Sequence, residues 1–194
     1  MADNGMAADK QRGLSLVSLL CALVASGMLV CSGLRFLPRL QSDCRLARQN
    51  VWLINQLEFS MLKIEKEIRR AGFHHDNSGK RALSISRHSG ERPDSCLMLN
   101  YAYYHPQARN FSGELVDQTF GYRLRKHALE ARRNAAHCDE PGWVNIHDGE
   151  QMHVTALQFE MLGADGIRVT LDGRLAHAPK VCHRIVRLVA RRNG

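Results

Sequence analysis

Lys10-Gln11-Arg12-Gly13-Leu14-Ser15-Leu16-Val17-Ser18-Leu19-Leu20 is the junction on which the reading of this chain turns. A short, polar, basic segment ends at Gly13. An uncharged run starts at Leu14 and continues for 21 residues to Leu34. At about 1.5 Å per residue, a helix of this length spans the roughly 30 Å hydrocarbon core of a bilayer. The run is longer than the about 7–15 apolar residues of a secretory signal. The small residues Ala25, Ser26 and Gly27 leave cleavage inside it open as an alternative. A lipoprotein box needs a small residue before Cys, and here Val30 precedes Cys31 and Leu20 precedes Cys21.

The flanks of this span conflict. Lys10 and Arg12 lie before it, and Arg35, Arg39, Arg45 and Arg48 after it. Positive-inside counting alone would leave the C-terminal side in the cytoplasm. Against this stand Cys44, Cys96, Cys138 and Cys182, scattered through the polar part of the chain as in proteins of oxidising compartments. The cysteines and the junction motif together place the C-terminal domain outside the cytoplasm.

The junction resembles the type IV prepilin (class III) signal, in which a membrane-embedded prepilin peptidase cuts after the glycine. The resemblance implies cleavage between Gly13 and Leu14 and N-methylation of Leu14. Gly13, lacking a Cβ, can adopt the extended shape a protease needs at the membrane surface. One departure stands out. The family usually carries Glu five residues after the cut, where it pairs with a neighbour's N-terminal amine. Here that position is Ser18, and the first residue is Leu14 rather than Phe or Met.

Beyond the span, Leu46, Leu53, Leu57, Met61, Ile64, Ile68 and Ala71 keep helical spacing. Lys63–Glu67 and Glu65–Arg69 read as ion pairs on the wet face, Pro38 as a kink, and Gly72 as the C-terminal stop. The expectation is one long helix from Leu14 to Ala71. Short apolar stretches follow at 96–101, 120–125, 128–132, 154–160, 166–171 and 181–190, with a tight turn at Lys126-His127. These read as antiparallel strands. The fold class is therefore α+β, a long N-terminal helix, its first half transmembrane, packed on an antiparallel sheet. The expected divisions are a leader at 1–13, a transmembrane half-helix at 14–37 and an extracytoplasmic domain at 38–194. Cys96 opens a strand and Cys138 follows the hairpin, so a Cys96–Cys138 disulfide is expected. Pairing of Cys44 with Cys182 stays open, and Cys21 and Cys31 are expected to remain reduced.

Arg35-Phe36-Leu37-Pro38, Arg69-Arg70-Ala71-Gly72-Phe73, Gly121-Tyr122-Arg123-Leu124, and Cys138 followed by Gly142-Trp143 occur in that order. In this order the chain resembles the prepilin peptidase-dependent protein B family, grouped with minor pilins and J-type minor pseudopilins. The resemblance runs from Gly13 to about Leu162. It implies a pilin-like fold and a bacterial inner-membrane protein processed by prepilin peptidase. It also implies a minor subunit that primes or tips a type IV pilus or type II secretion pseudopilus, with other pilins or pseudopilins as partners.

Chemistry is not evident in the residues. The net charge of +8 comes from 27 Lys+Arg against 19 Asp+Glu. Arg123, Arg125, Arg132, Arg133, Arg184, Arg187, Arg191 and Arg192 are dispersed and read as solvated strand faces. His74-His75, His127, His137, His147 and His153 read as surface histidines, and Trp52 and Trp143 as packing residues. No nucleophile, phosphate-loop, zinc-protease or calcium-loop motif occurs. The reading is therefore non-enzymatic, with no metal or cofactor. The competing class is a membrane-anchored periplasmic binding module outside a filament, capturing DNA or an envelope partner through the arginines.

Replacing Gly13 by a bulky residue, Gly13→Leu, is expected to leave full-length precursor in membranes that contain active prepilin peptidase. Intact mass and N-terminal sequencing read the outcome, and a mature chain starting at Leu14 from the variant would refute the assignment.

Overall fold

The computed structural model describes residues 16–73, 82–105 and 114–192. Gly13, Leu14 and the His74-His75 pair lie outside them. The backbone starts with α1 (Leu16–Arg70), and the chain divides into two compact units, Met1–Ala47 and Arg48–Gly194. The second unit begins within α1.

In the first unit every described side chain from 16 to 34 is exposed. The helix is long and apolar enough there to cross a membrane, and none of that stretch is covered within the protein. Its polar atoms are already satisfied: the Ser26 and Ser32 hydroxyls donate to the carbonyls of Leu23 and Leu29, each at 2.9 Å. α1 is continuous through Pro38, which removes one backbone donor but does not end the helix. Leu46, assigned by spacing to the buried stripe, is 49% exposed and belongs to this unit.

In the second unit the periodic stripe is buried. Leu53, Leu57, Met61, Ile64, Ile68 and Ala71 are fully covered. α1 stops at Gly72, which takes φ of 86° and so sits where a Cβ would be strained. The Gly72 N–H donates to the Asn100 carbonyl at 3.0 Å, tying the helix end to the sheet. Glu65 pairs with Arg69 at 2.6 Å as the spacing predicts. The expected Lys63–Glu67 pair does not form. Glu67 instead accepts from the Tyr101 hydroxyl and lies 4.0 Å from Arg70, while Lys63 sits over the Phe59 ring. Burial of α1 against the sheet brings Tyr101 within reach of Glu67 and outcompetes a solvated pair.

Among the described residues eight strands follow: β1 (Leu83–Ser86), β2 (Cys96–His105), β3 (Glu114–Arg125), β4 (Ala128–Arg133), β5 (Val144–Asn145), β6 (Met152–Leu162), β7 (Gly166–Leu175) and β8 (Cys182–Ala190). They form two antiparallel sheets rather than one, ordered β1-β2-β3-β4-β5 and β6-β7-β8. β1 and β5, at four and two residues, are too short to announce themselves in the sequence. β3 and β4 are joined by Lys126-His127, both at positive φ (47° and 65°), the two-residue turn whose twist suits a hairpin. The sheets share no ladder, but the Val154 N–H donates to the His127 carbonyl and the Phe159 N–H to that of Asp94.

β7 alternates strictly, with Ile167, Val169, Leu171, Gly173 and Leu175 buried. Gly173 is glycine because a Cβ there would lie 2.8 Å from Leu57 Cδ2. Gly173→Val should therefore destabilise the domain by about 1–3 kcal/mol through overpacking. Leu57→Ala should cost about 2–5 kcal/mol through the cavity it leaves. Urea unfolding of the full chain in detergent checks both, and an unchanged midpoint for Gly173→Val would contradict the close approach.

Candidate functional site

Residues separated widely in the sequence converge behind β3. Phe120, Tyr122 and Leu124 point into the main core. Gly121 and Arg123, alternating with them, face the other side. There Cys96, Met98, Ala135 and Cys138 form a second buried cluster with Trp143 packed against it. A Cβ on Gly121 would lie 2.5 Å from the Trp143 ring, so the indole needs glycine beneath it.

The structure brings Cys96 and Cys138 together in a disulfide, with Cα atoms 6.4 Å apart. The bond closes 42 residues of chain separation, which contributes ~3–4 kcal/mol in the chain-entropy model. Cys21, Cys31, Cys44 and Cys182 are free and exposed, so the Cys44–Cys182 pairing left open by the sequence is not formed.

Arg123 departs most from its expected place. Read as part of a solvated strand face, it is 1% exposed and the largest fully buried side chain among the described residues. Its Nε donates to Glu130 Oε2 at 2.6 Å, across the β3–β4 ladder. Its Nη1 donates to the Cys138 carbonyl and, at 3.3 Å, to that of Glu140. Its guanidinium carbon lies 4.5 Å from the Trp143 ring centroid. A buried charge persists only when paired and hydrogen-bonded, and the planar guanidinium supplies both along with a face for the indole. Arg123 thus fastens the loop that carries Cys138 and Trp143 to the hairpin. His88, on the same side, lies 2.7 Å from Asp139. A backbone N–H from Ser89 holds the Asp139 carboxyl below its usual range, with His88 adding to the effect.

The histidines also separate. His127 is exposed and stacks against His153. His147 is half-buried, with Nε2 against the Ser60 hydroxyl, whose proton goes to the Gln56 carbonyl. Burial pushes the His147 pKa below its ordinary value, and Lys63 reinforces the shift. Among the described residues no three His, Cys, Asp or Glu side chains are grouped to hold a metal ion. Arg187 reaches from β8 to Glu58 at 2.7 Å and Glu65 at 3.1 Å on α1. Burial opposes ionisation of Glu65, but Arg69 and Arg187 outweigh it and lower its pKa.

Among the described residues the arrangement offers an exposed apolar helix and a braced domain. This is the architecture of pilin-type proteins. A type IV-like pilin from Thermus thermophilus superimposes with a TM-score of 0.51 at 12% identity, over 73% of this chain and 96% of that one. One chain from a complex of two pseudopilins of the Vibrio vulnificus type 2 secretion system aligns with a TM-score of 0.42 at 15% identity, over 77% of this chain and 97% of that chain. Residues 46–191 match the family model of prepilin peptidase-dependent protein B, and the chain belongs to that family. The Escherichia coli K12 protein of that name is 23% identical over 171 residues, 88% of this chain and 89% of the relative.

Arg123→Met should destabilise the domain by about 3–5 kcal/mol, because Glu130 is left buried without its partner. Adding Glu130→Leu should recover a substantial part of the loss. The recovery should be incomplete, since the Cys138 and Glu140 carbonyls lose their donor. Chemical denaturation of the single and double variants provides the measurement; full additivity of the two losses would show that the pair is not coupled.

Proposed function

We propose that this chain is a minor pilin or pseudopilin subunit that primes or tips assembly of a type IV pilus or type II secretion pseudopilus. The observation that carries the reading is the half-helix from Leu16 to Leu34, exposed along its whole length and continuous with the helix that forms the domain's core. Such a helix is stable in lipid as a single-pass anchor and equally stable among other apolar helices. A subunit that moves from membrane to filament needs both properties. In this reading residues 1–13 are a leader removed by prepilin peptidase, Leu14 becomes the methylated N-terminus, and residues 14–37 span the inner membrane. The domain from 38 to 194 lies in the periplasm, where the Cys96–Cys138 bond is stable.

Ser18 supports a terminal rather than a repeating position. An N-terminal ammonium among apolar helices needs a countercharge, and leaving it unpaired costs several kcal/mol. A hydroxyl at Ser18 accepts a hydrogen bond but does not neutralise a neighbour's amine. A subunit at or near the tip tolerates this defect once; a shaft would repeat it at every level. Overexpressed in a strain lacking the major pilin, the protein should form no long filaments of its own, as judged by shearing and electron microscopy. Homopolymeric filaments would refute the terminal position. Ser18→Glu should enter sheared filaments more often than the native chain.

A further inference from the structure

We infer that the cleft between α1 and the β4–β5 end of the five-stranded sheet docks an acidic, amphipathic segment of another pilin-type subunit. The cleft has a volume of about 490 Å³ and lies wholly within the unit Arg48–Gly194. Its floor is apolar, with Ala131, Ile146 and Val144 beside the buried Phe120 and Tyr122 rings. Val144 is 68% exposed. β5, which carries it, is the outermost strand of its sheet and only two residues long.

The rim is cationic. Lys63 and Lys66 border it from α1 and Arg133 from the end of β4, all three exposed. Lys63 Nζ lies 4.2 Å from the Phe59 ring centroid, and the Arg133 guanidinium 5.6 Å from that of Phe120. Among the described residues no carboxylate is bonded to any of the three. The other charges lining the cleft are engaged: Arg132 lies 3.3 Å from Glu140, and Glu67 is held by Tyr101 and Arg70. Among the described residues the cleft thus presents three cations with no bonded carboxylate around an apolar floor.

That combination selects the occupant. A single-stranded nucleic acid would use the cations, but its bases stack on exposed aromatic faces and the two lining rings are buried; a duplex would engage the cations through its phosphates and leave the apolar floor unused. An apolar side chain set on Val144 and Ile146, flanked by Asp or Glu reaching Lys63, Lys66 and Arg133, satisfies floor and rim together. Charge complementarity at the rim would set register and partner choice, and the apolar contact would hold the complex. This inference rests on the assembly role proposed above, which supplies the class of partner.

The test uses the full chain in its native membrane. A photo-crosslinking benzoylphenylalanine is placed at Val144 and, separately, at Leu23 in the apolar half-helix. The Val144 probe should crosslink to an acidic stretch of another pilin-type protein, identified by peptide mapping. The triple variant Lys63→Glu, Lys66→Glu, Arg133→Glu should lower that yield by roughly tenfold or more and leave the Leu23 crosslinks intact. Lys63→Gln, Lys66→Gln, Arg133→Gln should give an intermediate yield, which guards against misfolding of the reversed form. Leu23 crosslinks to pilin-type proteins without any from Val144, or Val144 crosslinks indifferent to charge reversal, would overturn the docking cleft alone. Absence of pilin-type crosslinks at both positions would overturn the assembly role itself. Salt-sensitive retention of duplex DNA by the native chain, lost in the triple variant, would reassign the cleft to nucleic acid.

Discussion

Two sheets that share no ladder become one domain because the same stripe of α1 lies in a common core with the inner faces of both. Leu53, Leu57, Met61, Ile64, Ile68 and Ala71 belong to one buried cluster with Leu97, Leu99 and Phe120 from the first sheet. The cluster also holds Phe159, Val169 and Ile185 from the second. Full burial of each large aliphatic side chain contributes about 1.5–3 kcal/mol, so this stripe is the largest shared source of cohesion. The backbone bonds from Val154 to His127 and from Phe159 to Asp94 add direct links between the two sheets' segments, but they are few. Gly173 under Leu57 and Gly72 at the helix end are the local concessions that let α1 lie so close.

The same helix does opposite things along its length. From Leu53 onward its apolar side chains alternate with charged ones, and one face is covered. Before Leu34 it is apolar on every face and covered nowhere. Water tolerates the first pattern and penalises the second, because exposed apolar area carries a cost of about 25 cal/mol per Å². The covered half of the helix suits a domain in water, and the uncovered apolar half fits a single-pass membrane anchor.

Behind β3 a second, smaller constraint operates. The disulfide, Arg123 and the Trp143 ring hold one loop from three directions. The family-like motifs Gly121-Tyr122-Arg123-Leu124 and Gly142-Trp143 acquire a physical explanation from it. Gly121 makes room for the indole, Arg123 stacks beneath it, and Gly142 takes φ of 88° as the chain approaches β5. The loop leads directly into Val144, so this bracing also sets the edge of the sheet beside the cationic cleft.

Much of the fold was legible in local pattern, because the forces concerned are local. An uncharged run of 21 residues, a 3.6-residue stripe ending in glycine, and a two-residue turn between apolar stretches each act within a few turns of chain. They determined the long helix, the hairpin and most of the strands. Pairing and burial depend on what lies opposite, which no local pattern contains. Tertiary structure alone divided the strands into two sheets, left Leu46 exposed, diverted Glu67 from Lys63 to Tyr101, and buried Arg123 with Glu130. An arginine is expected in water until a carboxylate, two carbonyls and an indole surround it, and those arrive from positions 130, 138, 140 and 143 only once the chain has folded.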